Sequence, residues 1–433
     1  MRTKTKIVAL LFAALLTFML AGIGMAQEPT ATLVGRVTDT SHASVAGAEI
    51  KVSNVNTNQS RTGRSGADGE YTVSNLLPGV YDVTIDKAGF KQLHETKLEL
   101  KADQTARLDA HLEVGAVSQT IEITAQVPLI NTETSSKGDV VAPNEIAEIP
   151  LNGRDFNDLA FTVPGVQPGE QGAKGSKYVV NGARADSSNV IIDGFNDENA
   201  RDAGVQVSPP LDALQEFKFQ TSGYSAEYGR LAGGVVNMLL KSGGNRFHGS
   251  LFEFVRNDMF DARNFFDLTT KNKLRRNQFG GTLTGPVVIP KLYDGHDRTF
   301  FMVSWESQRQ VQGSPSISIV PSLLERQGNF SQSKGTLKSP FKTGPCKSFT
   351  GSQIPASCMS PVSQALLNFY PLPNLDPLLN GGNNYIANNN NVDNYDNFVF
   401  KVDQKLGEKD NLSVRVAHLS HRARLGLRTA IPG

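Results

Sequence analysis

The chain has 433 residues, a formal charge of +1 and two cysteines. At about 150 residues per domain this length holds two to four domains, and the near-balanced charge gives no support to a nucleic-acid or anionic-surface partner. Forty glycines, and 23 phenylalanines against one tryptophan, suit a β-rich protein with many turns. Beyond residue 25 no run approaches the ~18 apolar residues of a membrane helix. A β-barrel wall stays open, because only alternate strand residues face lipid.

Residues 1–26 read as an export signal. Arg2, Lys4 and Lys6 precede an apolar run from Ile7 to Ile23, and Gly24-Met25-Ala26 supplies small residues at −3 and −1 of a cleavage site before Gln27. Cleavage between Ala26 and Gln27 leaves no N-terminal cysteine for a lipid anchor. The alternative is an uncleaved anchor, since the run is slightly long for a signal core. Cys346 and Cys358 accord with export: an even count at close spacing in an oxidising compartment reads as one local disulfide, with two free thiols as the alternative.

Residues 27–116 form the first folded unit. Glu49-Ile50-Lys51-Val52 alternates with period two, and Asp68-Gly69 and Pro78-Gly79 separate further short strands such as Tyr71–Val73 and Tyr81–Ile85. Six or seven strands at this spacing predict a small β-sandwich. GRVTD, VAGAEIKVSN, ADGEYTVSNLLPGVYDVTIDKAGF and a closing LEVG resemble the carboxypeptidase regulatory-like domain. That resemblance implies an accessory domain without an active site; it leaves starch or peptide binding open and marks no binding face.

Residues 117–142 link this unit to the next. Gln119-Thr120-Ile121-Glu122-Ile123-Thr124-Ala125, ahead of the breaker Pro128, resembles the TonB box, with Ile123 where Val is commoner. The resemblance implies a coupling segment whose β-branched residues pair as an added strand on a TonB-type periplasmic energy-coupling protein. The same run fits an ordinary edge strand finishing the sandwich.

Residues 143–244 predict an α+β domain. Ile146–Phe156 and then Leu159–Val166 open it, Tyr178–Arg184 and Val190–Gly194 are strands ending in tight turns, and Leu211–Gly244 runs into an apolar strand through Tyr228, Gly229, Gly233, Gly234, Val235, Val236 and Asn237. In this order the segments resemble the plug of TonB-dependent outer-membrane receptors, in the Oar-like subset. Asp193, Asp197, Glu198 and Asp202 form an acidic cluster without the spacing of a calcium loop, and read as a solvated loop facing a barrel mouth.

Residues 245–433 predict at least five long strands: Gly249–Arg256, Gln278–Ile289, Thr299–Gln308, Asn397–Gln404 and Leu412–His418. Phe301, Val303 and Trp305 alternate with Met302, Ser304 and Glu306; Phe398, Phe400 and Val402 alternate with Val399, Lys401 and Asp403. A lipid-facing wall has this pattern, and so does a soluble sandwich. The connections run long, short, very long (about Arg309–Asn394) and short, as in barrels with short periplasmic turns and long outer loops. Receptor barrels have about 22 strands, and the 186 residues after Phe247 cannot supply them. The expected fold is thus mainly β: a sandwich, an α+β plug, and the first strands of an incomplete transmembrane antiparallel barrel.

No catalytic motif stands out. The seven histidines form no HExxH set, no GxSxG elbow occurs, and Gly172–Lys177 has the wrong order for a phosphate loop. The family resemblance implies a receptor-transporter without catalytic, metal or cofactor residues, coupled to a TonB-type protein, seated in outer-membrane lipids and taking up an extracellular solute. The alternative is a structural or adhesion protein of the outer membrane, using the sandwich and long loops for surface contacts.

Overall fold

The computed structural model describes residues 29–115, 120–124, 136–169, 178–199, 204–224, 228, 232–263, 265, 271–333, 335–378, 381–407 and 410–426. By internal contacts the chain divides into two units. The first comprises Met1–Leu251, Gly281–Trp305 and Asn397–His418, the second Phe252–Gly280, Glu306–Asp396 and Leu419–Gly433.

The sandwich occupies the start of the first unit. One sheet holds β1 (Ala31–Asp39), β4 (Glu70–Leu76), β7 (Thr105–Arg107) and β8 (Ala110–Leu112); β1 runs antiparallel to β4 and parallel to β7 and β8. The other has the order β3-β2-β5-β6-β9, from β2 (Glu49–Asn54), β3 (Ser60–Arg64), β5 (Gly79–Asp86), β6 (Gln92–Leu100) and β9 (Thr120–Thr124). Period-two alternation buries Ile50, Val52, Val83, Ile85, Leu98 and Leu100 against Leu33, Val37 and Leu112 of the facing sheet. The Asp68-Gly69 and Pro78-Gly79 turns do not close hairpins. Each carries the chain from one sheet to the other, because β4 pairs with β1 while β3 and β5 pair with β2.

The plug sheet follows with the order β10-β15-β16-β13-β14: β10 (Lys137–Val141), β13 (Asn189–Ile192), β14 (Phe195–Asn196), β15 (Leu214–Ser222) and β16 (Val235–Leu240). A small ribbon, β11 (Val166–Pro168) with β12 (Tyr178–Val180), accompanies it. Helix α1 (Pro143–Glu148) starts with proline at its first turn, where the missing N–H costs nothing, and the Glu145 carboxylate accepts from the Ala142 N–H at 3.1 Å. Phe217, Phe219, Val236, Met238 and Leu240 build one core with Leu159 and Tyr178. Asp193-Gly194 closes the β13-β14 hairpin with both residues at positive φ, 48° and 80°, the geometry that a two-residue primed turn demands.

Five long strands make the wall, in the order β17-β18-β21-β22-β23: β17 (His248–Asn257), β18 (Leu274–Pro286), β21 (Thr299–Ser318), β22 (Tyr385–Lys405) and β23 (Asn411–Arg424). A short ribbon of β19 (Val288–Ile289) and β20 (Tyr293–Asp294) forms the turn between β18 and β21. No helix among the described residues is long and apolar enough to cross a membrane. The sheet is open, and its two outer strands are not joined to each other. Two strands exceed their expected bounds. β21 continues to Ser318, and β22 starts at Tyr385, among asparagines inside the very long connection expected over about Arg309–Asn394. Ladder hydrogen bonds are made by the backbone, so a strand running past the apolar band keeps its pairing without an apolar face.

Burial decides what alternation leaves open. Trp305, Phe398 and Phe400 are 41%, 38% and 36% exposed, while Met302, Ser304 and Lys401 on the opposite face are 0%, 1% and 2% exposed. Thr282 and Thr284 are buried and Leu283 between them is exposed. A soluble sandwich buries its apolar face; the three middle strands of this wall turn it outward and bury the mixed polar one, as lipid-facing strands do.

Within the second unit, Cys346 and Cys358 are joined by a disulfide, with their Cα atoms 5.7 Å apart. Helices α2 (Leu323–Arg326) and α3 (Pro361–Leu367) are tied by Arg326, whose guanidinium donates to the carbonyls of Leu367, Tyr370 and Pro371 at 2.7–2.9 Å.

Close approach fixes glycine at two joints. A Cβ on Gly234 would lie 2.8 Å from the Phe219 ring and 3.0 Å from the Gln220 carbonyl oxygen. On Gly243, where the chain leaves the plug for the wall, it would lie 2.4 Å from the Gly285 carbonyl oxygen. Gly234→Ala is expected to lower plug stability by about 1–3 kcal/mol through overpacking. A reduced urea midpoint for plug unfolding, with an unchanged slope, checks this.

Candidate functional site

The closing block of the plug works on two faces of one hairpin. Along β15, Phe217 and Phe219 point into the plug core, so Glu216, Lys218 and Gln220 share the other face. Asn237 of β16 is in register with Lys218. All four polar residues are buried. Such a face is costly unless its groups are paired, and the sandwich pairs Glu216, Lys218 and the Asn237 amide N–H. Past the end of β6, the backbone N–H of Ala102 donates to both Glu216 carboxylate oxygens at 3.1 Å, and the Ala102 carbonyl accepts from Lys218 Nζ at 2.9 Å. Asp103 Oδ2 accepts from Tyr228 Oη at 2.8 Å and Asn237 Nδ2 at 3.0 Å, with Lys218 Nζ at 3.5 Å. Burial raises the Glu216 carboxyl pKa above its ordinary value, against the opposing pull of the Ala102 N–H and the Lys218 charge.

Two of the expected signature residues, Tyr228 and Asn237, therefore converge on one carboxylate 125 and 134 positions away. Gly233 and Gly234 give close approach to Ser187, Ser188 and Phe219, and Val235 and Val236 are fully buried; Gly229 lies outside the described residues. Sequence reasoning names this block but misses Glu216, Lys218 and Asp103. The signal is the Glu216-Phe217-Lys218-Phe219-Gln220 alternation, which puts charge on a strand that the fold buries on both faces.

The TonB-box-like run lies on the sandwich. Thr120–Thr124 pairs in parallel with Gln92–Thr96 as β9, the end strand of its sheet. Gln119 and Ala125, at its margins, lie outside the described residues, as does the expected cleavage site at Ala26 and Gln27.

The acidic cluster departs from expectation. Asp193 is buried rather than solvated: Oδ1 accepts from the Leu240 N–H at 2.9 Å, and Oδ2 stands 3.4 Å from Lys401 Nζ and 3.3 Å from Arg415 Nη1. The two cations come from β22 and β23, more than 200 positions downstream, so local spacing could not reveal them. Arg415 also donates to the Ile192 carbonyl at 3.2 Å. Asp197 accepts from the Val207 N–H at 3.0 Å and is half-buried; burial raises its pKa to about 6. Asp202 is outside the described residues, among which no group of three or more His, Cys, Asp or Glu could hold a metal ion.

Three family models match this arrangement in the same order. Residues 32–113 match the carboxypeptidase regulatory-like domain, 131–236 the TonB-dependent receptor plug domain, and 239–426 an outer membrane beta barrel domain. The chain belongs to the TonB-dependent receptors that carry an N-terminal regulatory-like domain. It is similar to the TonB-dependent transporter Oar of Myxococcus xanthus, 28% identical over 283 residues that make up 61% of this chain and 26% of Oar. The chain thus spans about a quarter of the length of the curated relative it matches. Similar solved structures include a ferric enterobactin receptor from Pseudomonas aeruginosa (13% identity, TM-score 0.38, 67% of this chain and 34% of that one). The outer membrane transporter YddB from Escherichia coli is another (12% identity, TM-score 0.40, 66% and 33%).

Two outcomes follow from these charges. Asp193→Ala removes the nearer carboxylate from the buried Lys401 ammonium and leaves Asp403 at 4.0 Å, and a loss of about 3 kcal/mol is expected, at the low end for breaking a buried pair. A double-mutant cycle with Lys401→Met should show strong coupling, since the two buried charges face each other at 3.4 Å. For Asp197 the native pKa is raised, so its contribution to stability is complete below pH 3.8 and is lost as pH rises through about 6. Asp197→Asn should therefore flatten the stability profile between pH 4 and pH 7, measured by denaturant titration across that range.

Proposed function

We propose that these residues belong to an energised outer-membrane transporter, which binds a solute from outside and admits it when the plug is pulled from the periplasmic side. The observation that carries this reading is the plug's packing against an inside-out wall: Met302 and Val399 join the plug core, and Asp193 neutralises cations on the wall's inner face. A folded domain seated on that polar face blocks a conduit until it moves, and moving it needs work. On this reading the chain is exported, the wall contacts outer-membrane lipids, and the sandwich and coupling segment stand in the periplasm.

Gln119–Ala125 is the proposed coupling segment, and its partner is a TonB-type periplasmic protein. Support comes from its place between sandwich and plug and from β9 ending its sheet, where an added strand finds backbone groups to pair with. Solute selectivity is assigned to the long connections of the wall, which a rigid scaffold leaves free to vary.

Deleting Gln119–Ala125 from the intact receptor should abolish uptake of its solute while cells still bind that solute at their surface. Uptake at the parental rate after the deletion would remove the coupling assignment.

A further inference from the structure

We propose that the Lys101–Asp103 turn is a latch that docks the sandwich onto the plug, and that it carries load from β9 through β6 into the β15-β16 hairpin. The docking stands on contacts alone, whereas the load path rests on the coupling function proposed above.

The turn has the form of a key. Asp103 sits at φ 51°, and the turn is braced by Gln104, whose side chain accepts from the Lys101 N–H at 2.8 Å. That bend presents a main-chain donor, a main-chain acceptor and a carboxylate in adjoining positions. The plug offers their complements: the Glu216 carboxylate for the donor, the Lys218 ammonium for the acceptor, and Tyr228 with Asn237 for the carboxylate. Side chains from both strands of the hairpin take part, so the turn grips the hairpin rather than one strand.

A second contact lies on the plug-to-wall joint. The Asn56 carbonyl accepts from the Asn245 N–H at 2.8 Å, and Asn58 Nδ2 donates to Asp297 Oδ1 at 2.9 Å. The sandwich therefore holds the plug through one loop and the end of the wall through another. Extraction of the plug with the wall in place must break one of the two. The latch has the charged, buried hydrogen bonds, and the Asn58 contact is exposed; the Asn58 contact is the one that yields. Because β9 pairs along Gln92–Thr96 of the strand that ends at the latch, a pull on β9 loads the plug hairpin through β6, in addition to the chain that leads to β10.

The test uses the intact receptor with a protease site placed within residues 126–135. After cleavage and washing, the fraction of N-terminal piece still bound reports docking without the covalent link. The piece should stay on the parental receptor and leave at least tenfold faster from Asp103→Ala and from Lys218→Met, since each removes hydrogen bonds to a charged group. Asp103→Asn, which keeps an acceptor in the same place, should recover part of the retention, and Tyr228→Phe should cost less than Asp103→Ala. Immediate loss of the piece from the parental receptor, or equal retention in all variants, would overturn the latch. Uptake by the uncut variants reads the load path separately. Unchanged uptake in Asp103→Ala, with the piece released after cleavage, would keep the docking and discard the load path. Failure of the coupling reading itself shows separately, as parental uptake after deletion of Gln119–Ala125.

Discussion

Lys401 can lie fully buried on the inner face of the wall because Asp193 meets it there. The rest of this structure depends on that exchange. A sheet that turns its apolar side chains outward must bury polar and charged ones inward, and each buried charge is costly until it is paired. Asp193 supplies the counter-charge from a type of turn that any plug strand could carry, held in place by the Leu240 N–H. The plug is thereby folded and seated by one residue at once: its hairpin needs the Asp-Gly turn, and the wall needs the carboxylate.

The sandwich repeats this logic at the plug's other face. Glu216, Lys218 and the Asn237 amide N–H would be expensive if left unpaired, and the Ala102–Asp103 turn meets all three. The sandwich and the plug are thus joined by polar contacts, each around its own apolar core, whereas the wall adds Met302 and Val399 to the plug core beside the paired charges. Polar boundaries suit parts that must separate. A merged apolar core would resist separation over its whole area, while a few hydrogen bonds break at defined points.

Much of the fold was legible because local patterns encode it. Period-two alternation marked the sandwich strands and the wall, and Asp193-Gly194 with Asn181-Gly182 marked turns whose residues do sit at positive φ. The plug signature marked the right hairpin. What stayed hidden was long-range or backbone-driven. Alternation of Phe398, Phe400 and Lys401 could not say which face is buried, and only the packed structure separates them. The partners of Asp193 and of Tyr228 are set by tertiary contact, so a solvated acidic loop was the natural and mistaken expectation for Asp193. The asparagine-rich start of β22 fell inside an expected loop because alternation reports side chains, whereas the ladder is built from backbone groups.

The central claim is that the wall is inside-out, and a scan of single spin labels along residues 301–305 of the receptor in a lipid bilayer tests it most directly. Labels at Phe301, Val303 and Trp305 should show high accessibility to oxygen, which dissolves in lipid, and low accessibility to a water-soluble nickel chelate. Labels at Met302 and Ser304 should be shielded from both. Uniform exposure to the nickel chelate along the strand, or the opposite phase of alternation, would contradict the account.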